Sequence, residues 1–296
     1  MAASSSREGG QRASARSKAE RSAWVLLTPM CLLMAVAFIL PVGLFLLYSF
    51  YRFRGGRLEE TFTLETYWRF MTDELYLITI YDTLQLAVLA TLLCLVISYP
   101  LAYAMWRMRS PGLQKLIAFI VFAPVLVSVV VRSYGWTVVL ADQGPVNFIL
   151  TRLGLTSGPV SLVYNMTGTV ISLAHVFLPF VVFPILASML RLDPTLREAA
   201  EDLGASWWKT FRSITLPLTL PGVVAGAQIC FTLSLGSFVT PAILGGGRVL
   251  VLPIQIYTAT SDINWPVAAV GGLCLLVMAF IAVVAFGRLS QYSEAV

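Results

Sequence analysis

Apolar residues arrive in long blocks, and that arrangement limits this chain more than any other feature. Blocks at residues 24–50, 84–106, 116–140, 170–190, 221–243 and 267–286 are separated by short polar stretches. Each is near or above the roughly 20 residues that a helix needs to cross a bilayer. Without water, every backbone N–H and C=O must be paired inside the chain, so such blocks are expected to be helices. The expectation is an all-α polytopic membrane protein with six transmembrane helices. Composition agrees, with 58% hydrophobic and 12% charged residues and a mean hydropathy of +0.82. Soluble domains of this length do not look like that.

The first block is too long for the apolar core of a signal peptide, and no small-residue cleavage site closes it. It is read as an uncleaved first span, interrupted by Pro29 and Pro41. Ahead of it, residues 1–22 are rich in Ser, Ala, Gly, Arg and Lys. They are expected to form a disordered basic cytoplasmic tail, leaving 23–296 as the transmembrane domain. Between the first two blocks, residues 62–71 have the pattern of a short amphipathic helix, with Thr63 as its cap. Residues 145–153 can form another short helix, and 248–265 is expected to be a loop.

Six spans put both termini on one side, and basic residues choose the side. With cytoplasmic termini, the inner segments hold Arg7, Arg12, Arg16, Lys18 and Arg21, then Arg107, Arg109 and Lys115, then Arg191, Arg197, Lys209 and Arg212, then Arg288. The outer segments hold Arg52, Arg54, Arg57, Arg69, Arg132, Arg152 and Arg248. The inner set is the larger, although Arg52, Arg54 and Arg57 count against it. The net charge of +5 is therefore read as a topology signal, with no nucleic-acid partner implied.

One cytoplasmic stretch stands apart. Residues 192–217 read LDPTLREAAEDLGASWWKTFRSITLP. Asp193 can cap a helix, and Pro194 suits its first position because the N–H it lacks would have no partner there. Leu196, Ala199, Ala200 and Leu203 then recur with helical spacing as a narrow apolar stripe. Gly204 follows, where a glycine can take the left-handed turn that ends a helix. Ser206 can cap a second short helix through Trp207, Trp208 and Phe211, and Pro217 is expected to break the chain where the next apolar block begins.

The same residues carry a family resemblance. Glu198-Ala199-Ala200, then Gly204, then Ile214-x-Leu216-Pro217 resembles the coupling loop of binding-protein-dependent ABC-transporter permeases. The resemblance implies a type I ABC importer permease fold. It also implies that Glu198, Ala199, Ala200, Gly204, Ile214, Leu216 and Pro217 couple the chain to an ABC ATPase dimer. Further stretches are similar to the spermidine/putrescine branch of that family. They are Val131-Arg132-Ser133-Tyr134-Gly135-Trp136, Gly144-x-x-Asn147, the run 235–246 and Asp262-Ile263-Asn264-Trp265-Pro266. Their implications are a second permease subunit in a heterodimer, an extracytoplasmic solute-binding protein, and a place in the bacterial inner membrane. The substrate implied is a polyamine, or another small solute such as an amino-acid derivative or an anion.

The chemistry of the chain fits a passive conduit. No G-x-x-x-x-G-K-[ST] motif is present to cradle nucleotide phosphates. No G-x-S-x-G or H-E-x-x-H occurs either, so no catalytic residue and no cofactor are expected, and ATP is expected on a partner subunit. Cys31, Cys94, Cys230 and Cys274 all lie in apolar blocks without metal-ligand spacing, and His175 is the only histidine, so no metal site is expected.

Polar residues inside spans are costly and often functional. Asp82 is read at the start of the second span, where it either attracts a cation or complements the helix N-terminus. Arg132 either lines the outer mouth of a path, holds a neighbouring carbonyl, or snorkels to the interface. Tyr134 and Trp136 either stack on a cation or belong to an aromatic belt. His175 either meets substrate or bonds another helix. Gln228, Thr232 and Ser234 face a path or a neighbouring helix. A self-sufficient secondary transporter is the competing class, but it would be expected to carry acidic residues within its spans, and it gives the stretch 192–217 no job.

Overall fold

The structure, a computed structural model, describes residues 5–294. Helix α1 (Ser5–Tyr48) leads to a hairpin of β1 (Arg52–Arg54) and β2 (Arg57–Glu59), whose turn uses Gly55 and Gly56 at φ of 56° and 79°. The chain continues through α2 (Glu65–Thr72), α3 (Glu74–Arg107), α4 (Pro111–Phe122), α5 (Val129–Leu140) and α6 (Pro145–Arg152). Then come α7 (Met166–Leu190), α8 (Pro194–Asp202), α9 (Trp207–Thr210), α10 (Leu216–Leu235), α11 (Val239–Leu244), α12 (Leu252–Ser261) and α13 (Trp265–Glu294).

Four of the six expected spans appear as long apolar helices with shifted ends. The first, α1, extends back to Ser5, so residues 5–22 continue a helix where composition suggested a disordered tail; residues 1–4 lie outside the described residues. Ala, Arg, Lys, Gln and Glu in that stretch all have good helix propensity. The second, α3, starts at Glu74 rather than near Asp82, because Asp73 caps it by accepting from the Leu75 N–H at 3.0 Å. Its extra turns bury Tyr76, Thr79 and Thr83 against neighbouring elements, so protein rather than lipid covers them. The fourth, α7, and the sixth, α13, lie where expected.

The third and fifth spans differ in kind. The third is broken: α4 runs through a 3-10 turn at Ala123–Leu126, and the segments on either side of the break meet at 104°. Pro124 supplies the cause, since it has no N–H to donate and Val127 follows in extended geometry at φ −96°, ψ 138°. The fifth begins earlier, because Pro217 does not break the chain: it lies in the first turn of α10 and tolerates a missing N–H there. A π-turn, Phe211–Thr215, joins α9 to α10, so 207–235 is one helical run. The segment 248–265, expected as loop, contains α12, whose start is fixed by a Leu252 N–H to Thr83 Oγ1 bond of 2.9 Å.

Among the described residues, five helices are long and apolar enough to cross a membrane, or six if the bent pair counts as one. Packing favours six. Cys94 in α3 donates to the Ala174 carbonyl in the first half of α7 at 3.5 Å, and both helices end at the coupling stretch. Helices α3 and α7 therefore run in the same direction, and the chain between them has to cross back once, through α4–α5. At the far end, Phe70, Tyr76, Leu252 and Val270 gather the starts of α3 and α13, and Tyr48 at the end of α1 meets Trp265 with rings 6.4 Å apart.

The core is the α3–α7–α10 bundle. Leu86, Ala90, Cys94, Leu173, Val181, Val182, Ile185, Met189 and Cys230 are buried there. Close approach of α10 to α7 depends on Gly222 and Gly226. A Cβ on Gly222 would lie 2.3 Å from Ser188 Oγ and 2.6 Å from the Pro184 carbonyl; one on Gly226 would lie 3.1 Å from Val181 Cα. The spacing is G-x-x-x-G, the small-residue device by which membrane helices dock without a hydrophobic driving force.

Candidate functional site

The stretch 192–217 folds locally much as its residues demand. Asp193 caps α8 by accepting from the Thr195 N–H at 2.9 Å, and that donation holds its carboxyl below the usual carboxylate range. Pro194 occupies the first turn. At the other end the Ala205 N–H reaches the Ala200 carbonyl and the Gly204 N–H the Glu201 carbonyl, both at 2.9 Å. That pair of bonds is a Schellman cap, and it requires the left-handed residue that Gly204 supplies at φ 78°. Ser206 then caps α9 through the Lys209 N–H at 3.4 Å.

The surface this builds is open. No residue of α8 is buried. Leu203 is 88% exposed, while Leu196, 47% exposed, is partly covered by its own chain, where it lines a pocket. Trp207 and Trp208 add 55% and 58% exposed indoles alongside. Arg197 pairs with Glu201 at 2.9 Å across one helical turn. Glu198 lines a pocket of about 220 Å³ with Trp106, Leu192, Asp193, Ile214, Thr215 and Leu218. Exposed apolar side chains around a shallow pocket, on a capped and rigid helix, suit a protein partner.

Residues singled out inside the spans divide into separate groups. The Trp136 indole Nε1–H donates to His175 Nδ1 at 3.2 Å, joining α5 to α7, and the two rings meet edge to face at 5.3 Å. Arg132 donates through Nη1 to the Pro124 carbonyl, and its Nε is buried without a partner. It thus holds the break between α4 and α5, the neighbouring-carbonyl option. Tyr134 is 60% exposed on α5. Asp82 sits inside α3, not at its start, and accepts from the Leu250 N–H at 3.1 Å, helping Thr83 fix the entry to α12. On α10, Ser234 is buried and donates to the Cys230 carbonyl at 2.7 Å. Thr232 Oγ1 is buried without a partner, and Gln228 is half-buried. Among the described residues no cluster of His, Cys, Asp or Glu can hold a metal.

Sequence reasoning missed the aromatic contacts beneath the coupling stretch. Trp207 Nε1–H donates to Tyr103 Oη at 3.0 Å, and Phe211 packs against Tyr99 and Tyr103 at 5.9 and 5.6 Å. Tyr99, Tyr103 and Trp106 at i, i+4 and i+7 on α3 were the available signal.

A bundle of apolar helices thus carries an exposed, capped helical segment between two of its members. Comparison with known proteins makes this specific. Residues 98–292 match the family model described as binding-protein-dependent transport system inner membrane component, and the chain belongs to that family. It is 32% identical over 234 residues to the spermidine/putrescine transport system permease protein PotB of Escherichia coli K12, covering 79% of this chain and 84% of that one. Against the protein of the same name from Haemophilus influenzae it is 30% identical over 267 residues, covering 90% and 89%. A solved bacterial alginate ABC transporter, in complex with its pentasaccharide-bound periplasmic protein, superposes with a TM-score of 0.74 at 21% identity over 93% of this chain and 96% of that one. That last likeness shows a shared fold. The protein is thus a multi-pass inner-membrane permease subunit of an ABC importer.

Proposed function

We propose that this permease passes a polyamine of the spermidine or putrescine class. The observation that carries the proposal is the identity to spermidine/putrescine permeases, which extends over 79–90% of the chain. A second reading has its own support. The chain is 27% identical over 86% of its length to a putative 2-aminoethylphosphonate transport system permease protein of Salmonella typhimurium. What the named solutes share is an ammonium group on a short alkyl chain. Uptake of radiolabelled putrescine, spermidine and 2-aminoethylphosphonate by cells expressing the complete transporter separates the two. Polyamine uptake that depends on this chain is the expected result, and uptake of the phosphonate alone overturns it.

The residues from Glu198 to Pro217 are the ATPase-docking element in this proposal, with ATP bound by the partner and not by this chain. Their exposed apolar stripe and rigid cap support that role. A second permease subunit completes the path, and an external binding protein delivers the solute. Both termini are cytoplasmic: α1 ends where α13 begins, at the end of the bundle opposite the coupling segment, and the basic residues are denser on the coupling side. Arg132, Tyr134, Trp136, His175, Gln228 and Thr232 are the candidate path residues, while Asp82 and Ser234 serve the path by holding the α12 entry and α10. Impermeant labelling of a cysteine at Leu155, against one at Leu203, tests the orientation. Labelling at Leu203 in intact cells overturns it.

A further inference from the structure

The chain is continuous from the coupling segment into α7 and into α10, but it is not continuous into α3. Even so, α3 touches the coupling segment at several points. Tyr103 accepts the Trp207 indole N–H at 3.0 Å and meets the Trp207 ring at 6.3 Å, edge to face. Phe211 stands edge-on to both Tyr99 and Tyr103, at interplanar angles of 83° and 89°. Phe211 in turn stacks on Trp207 and Trp208, each at 5.6 Å. One turn deeper, Tyr99 Oη and Thr219 Oγ1 are hydrogen-bonded at 3.0 Å, tying α3 to α10. Trp106, at the foot of the same α3 face, lines the pocket under α8.

The backbone changes geometry at Phe211, which sets the register of α10 behind it. Phe211 opens the π-turn Phe211–Thr215, closed by the Leu216 N–H on the Phe211 carbonyl. A π-turn adds a residue to a helix and rotates the side chains that follow, and such turns recur at functional sites. Edge-to-face rings resist sliding because the ring edges carry partial positive charge and the faces negative. The result is a stiff junction between an exposed segment and the end of a long membrane-spanning helix.

We propose that Tyr103 is a positioning residue that carries displacement of the coupling segment into α3, so that α3 moves with α7 and α10 when the ATPase closes. This rests on reading residues 192–217 as the ATPase-docking element. Lateral force on Trp207 is delivered to Tyr103 mainly through the ring contacts with Trp207 and Phe211, assisted by the hydrogen bond, and to Tyr99 through Phe211. Without the Tyr103 ring, the segment can still dock, because its exposed stripe is untouched, but α3 is driven only through the Tyr99–Phe211 contact, and weakly.

The complete transporter in proteoliposomes provides the test, with ATP hydrolysis measured with and without its binding protein. Membrane abundance and co-purifying ATPase are measured alongside. Tyr103→Ala should keep both at wild-type levels while hydrolysis stimulated by the binding protein falls at least fivefold. Tyr103→Phe keeps the ring contacts and should recover most of the stimulation. Stimulation within twofold of wild type in Tyr103→Ala overturns the proposal. So does loss of the co-purifying ATPase, which makes the junction part of docking. If Tyr103→Ala does not accumulate, Tyr103→Leu, which keeps bulk without the hydroxyl or ring, is judged by the same ratio. Absence of ATPase from the wild-type preparation would instead remove the docking reading itself.

Discussion

The α3–α7–α10 bundle and the α8–α9 coupling segment are neighbours in sequence and opposites in construction. Most of the apolar length of α7 is buried inside the chain, whereas no residue of α8 is buried. In the bundle, small residues allow close approach and apolar side chains meet one another. In the segment, Leu203, Trp207 and Trp208 are largely exposed, and caps at the ends satisfy the backbone. The buried faces of the bundle find their partners within one chain. The segment is stiff but uncovered, the state expected of a surface made for another protein. Stability should therefore reside in the first region and activity in the second.

The largest effect that would sharpen this contrast is at Gly222. A leucine there would force its Cβ into Ser188 and the Pro184 carbonyl, and over-packing of this kind costs about 1–3 kcal/mol or more. Gly222→Leu should lose most of its membrane abundance on immunoblots, and uptake with it. Normal abundance would show that α7 and α10 do not need their close approach.

Gly204→Asp should behave differently. Nothing lies within 4 Å of a Cβ at Gly204, so only the left-handed backbone penalises the change, by about 1–2 kcal/mol. The variant should reach the membrane in normal amounts and fail to transport, with less ATPase co-purifying. Gly204→Asn separates backbone from surface, because asparagine tolerates the left-handed conformation, and it should retain more uptake than the aspartate. Normal abundance, ATPase binding and uptake in Gly204→Asp would break the comparison.

Leu203→Ser removes a side chain that is 88% exposed. It should leave abundance unchanged and weaken ATPase co-purification in part. A drop in abundance would mean that the stripe stabilises its own chain. The smallest effects are expected for Asp82→Asn and Arg132→Gln. An asparagine oxygen can still accept the Leu250 N–H, and a glutamine can still donate toward the Pro124 carbonyl, so folding should hold. Transport assays should show partial loss in both, and wild-type uptake in both would remove charge at these positions from the mechanism.

Local rules account for what the residues alone determined. Bilayer thickness and backbone pairing make apolar blocks into spanning helices, so their number and approximate places could be read directly. Asp193, Pro194, Gly204 and Ser206 act within one or two turns of their own positions, and the structure shows each doing what its chemistry implies. Tertiary contacts decided the rest. Whether a proline ends a helix depends on what surrounds it: Pro124 breaks the third span, while Pro217 rides in the first turn of α10 behind a π-turn. Asp82 looked like the start of a span because it is charged, yet the largely apolar residues 74–81 extend the helix ahead of it and Asp82 binds a loop 168 residues away. His175 received the Trp136 indole, and Tyr103 the Trp207 indole 104 residues along the chain. Such pairings depend on which faces of distant helices meet, and the periodicity of a single segment carries no record of that.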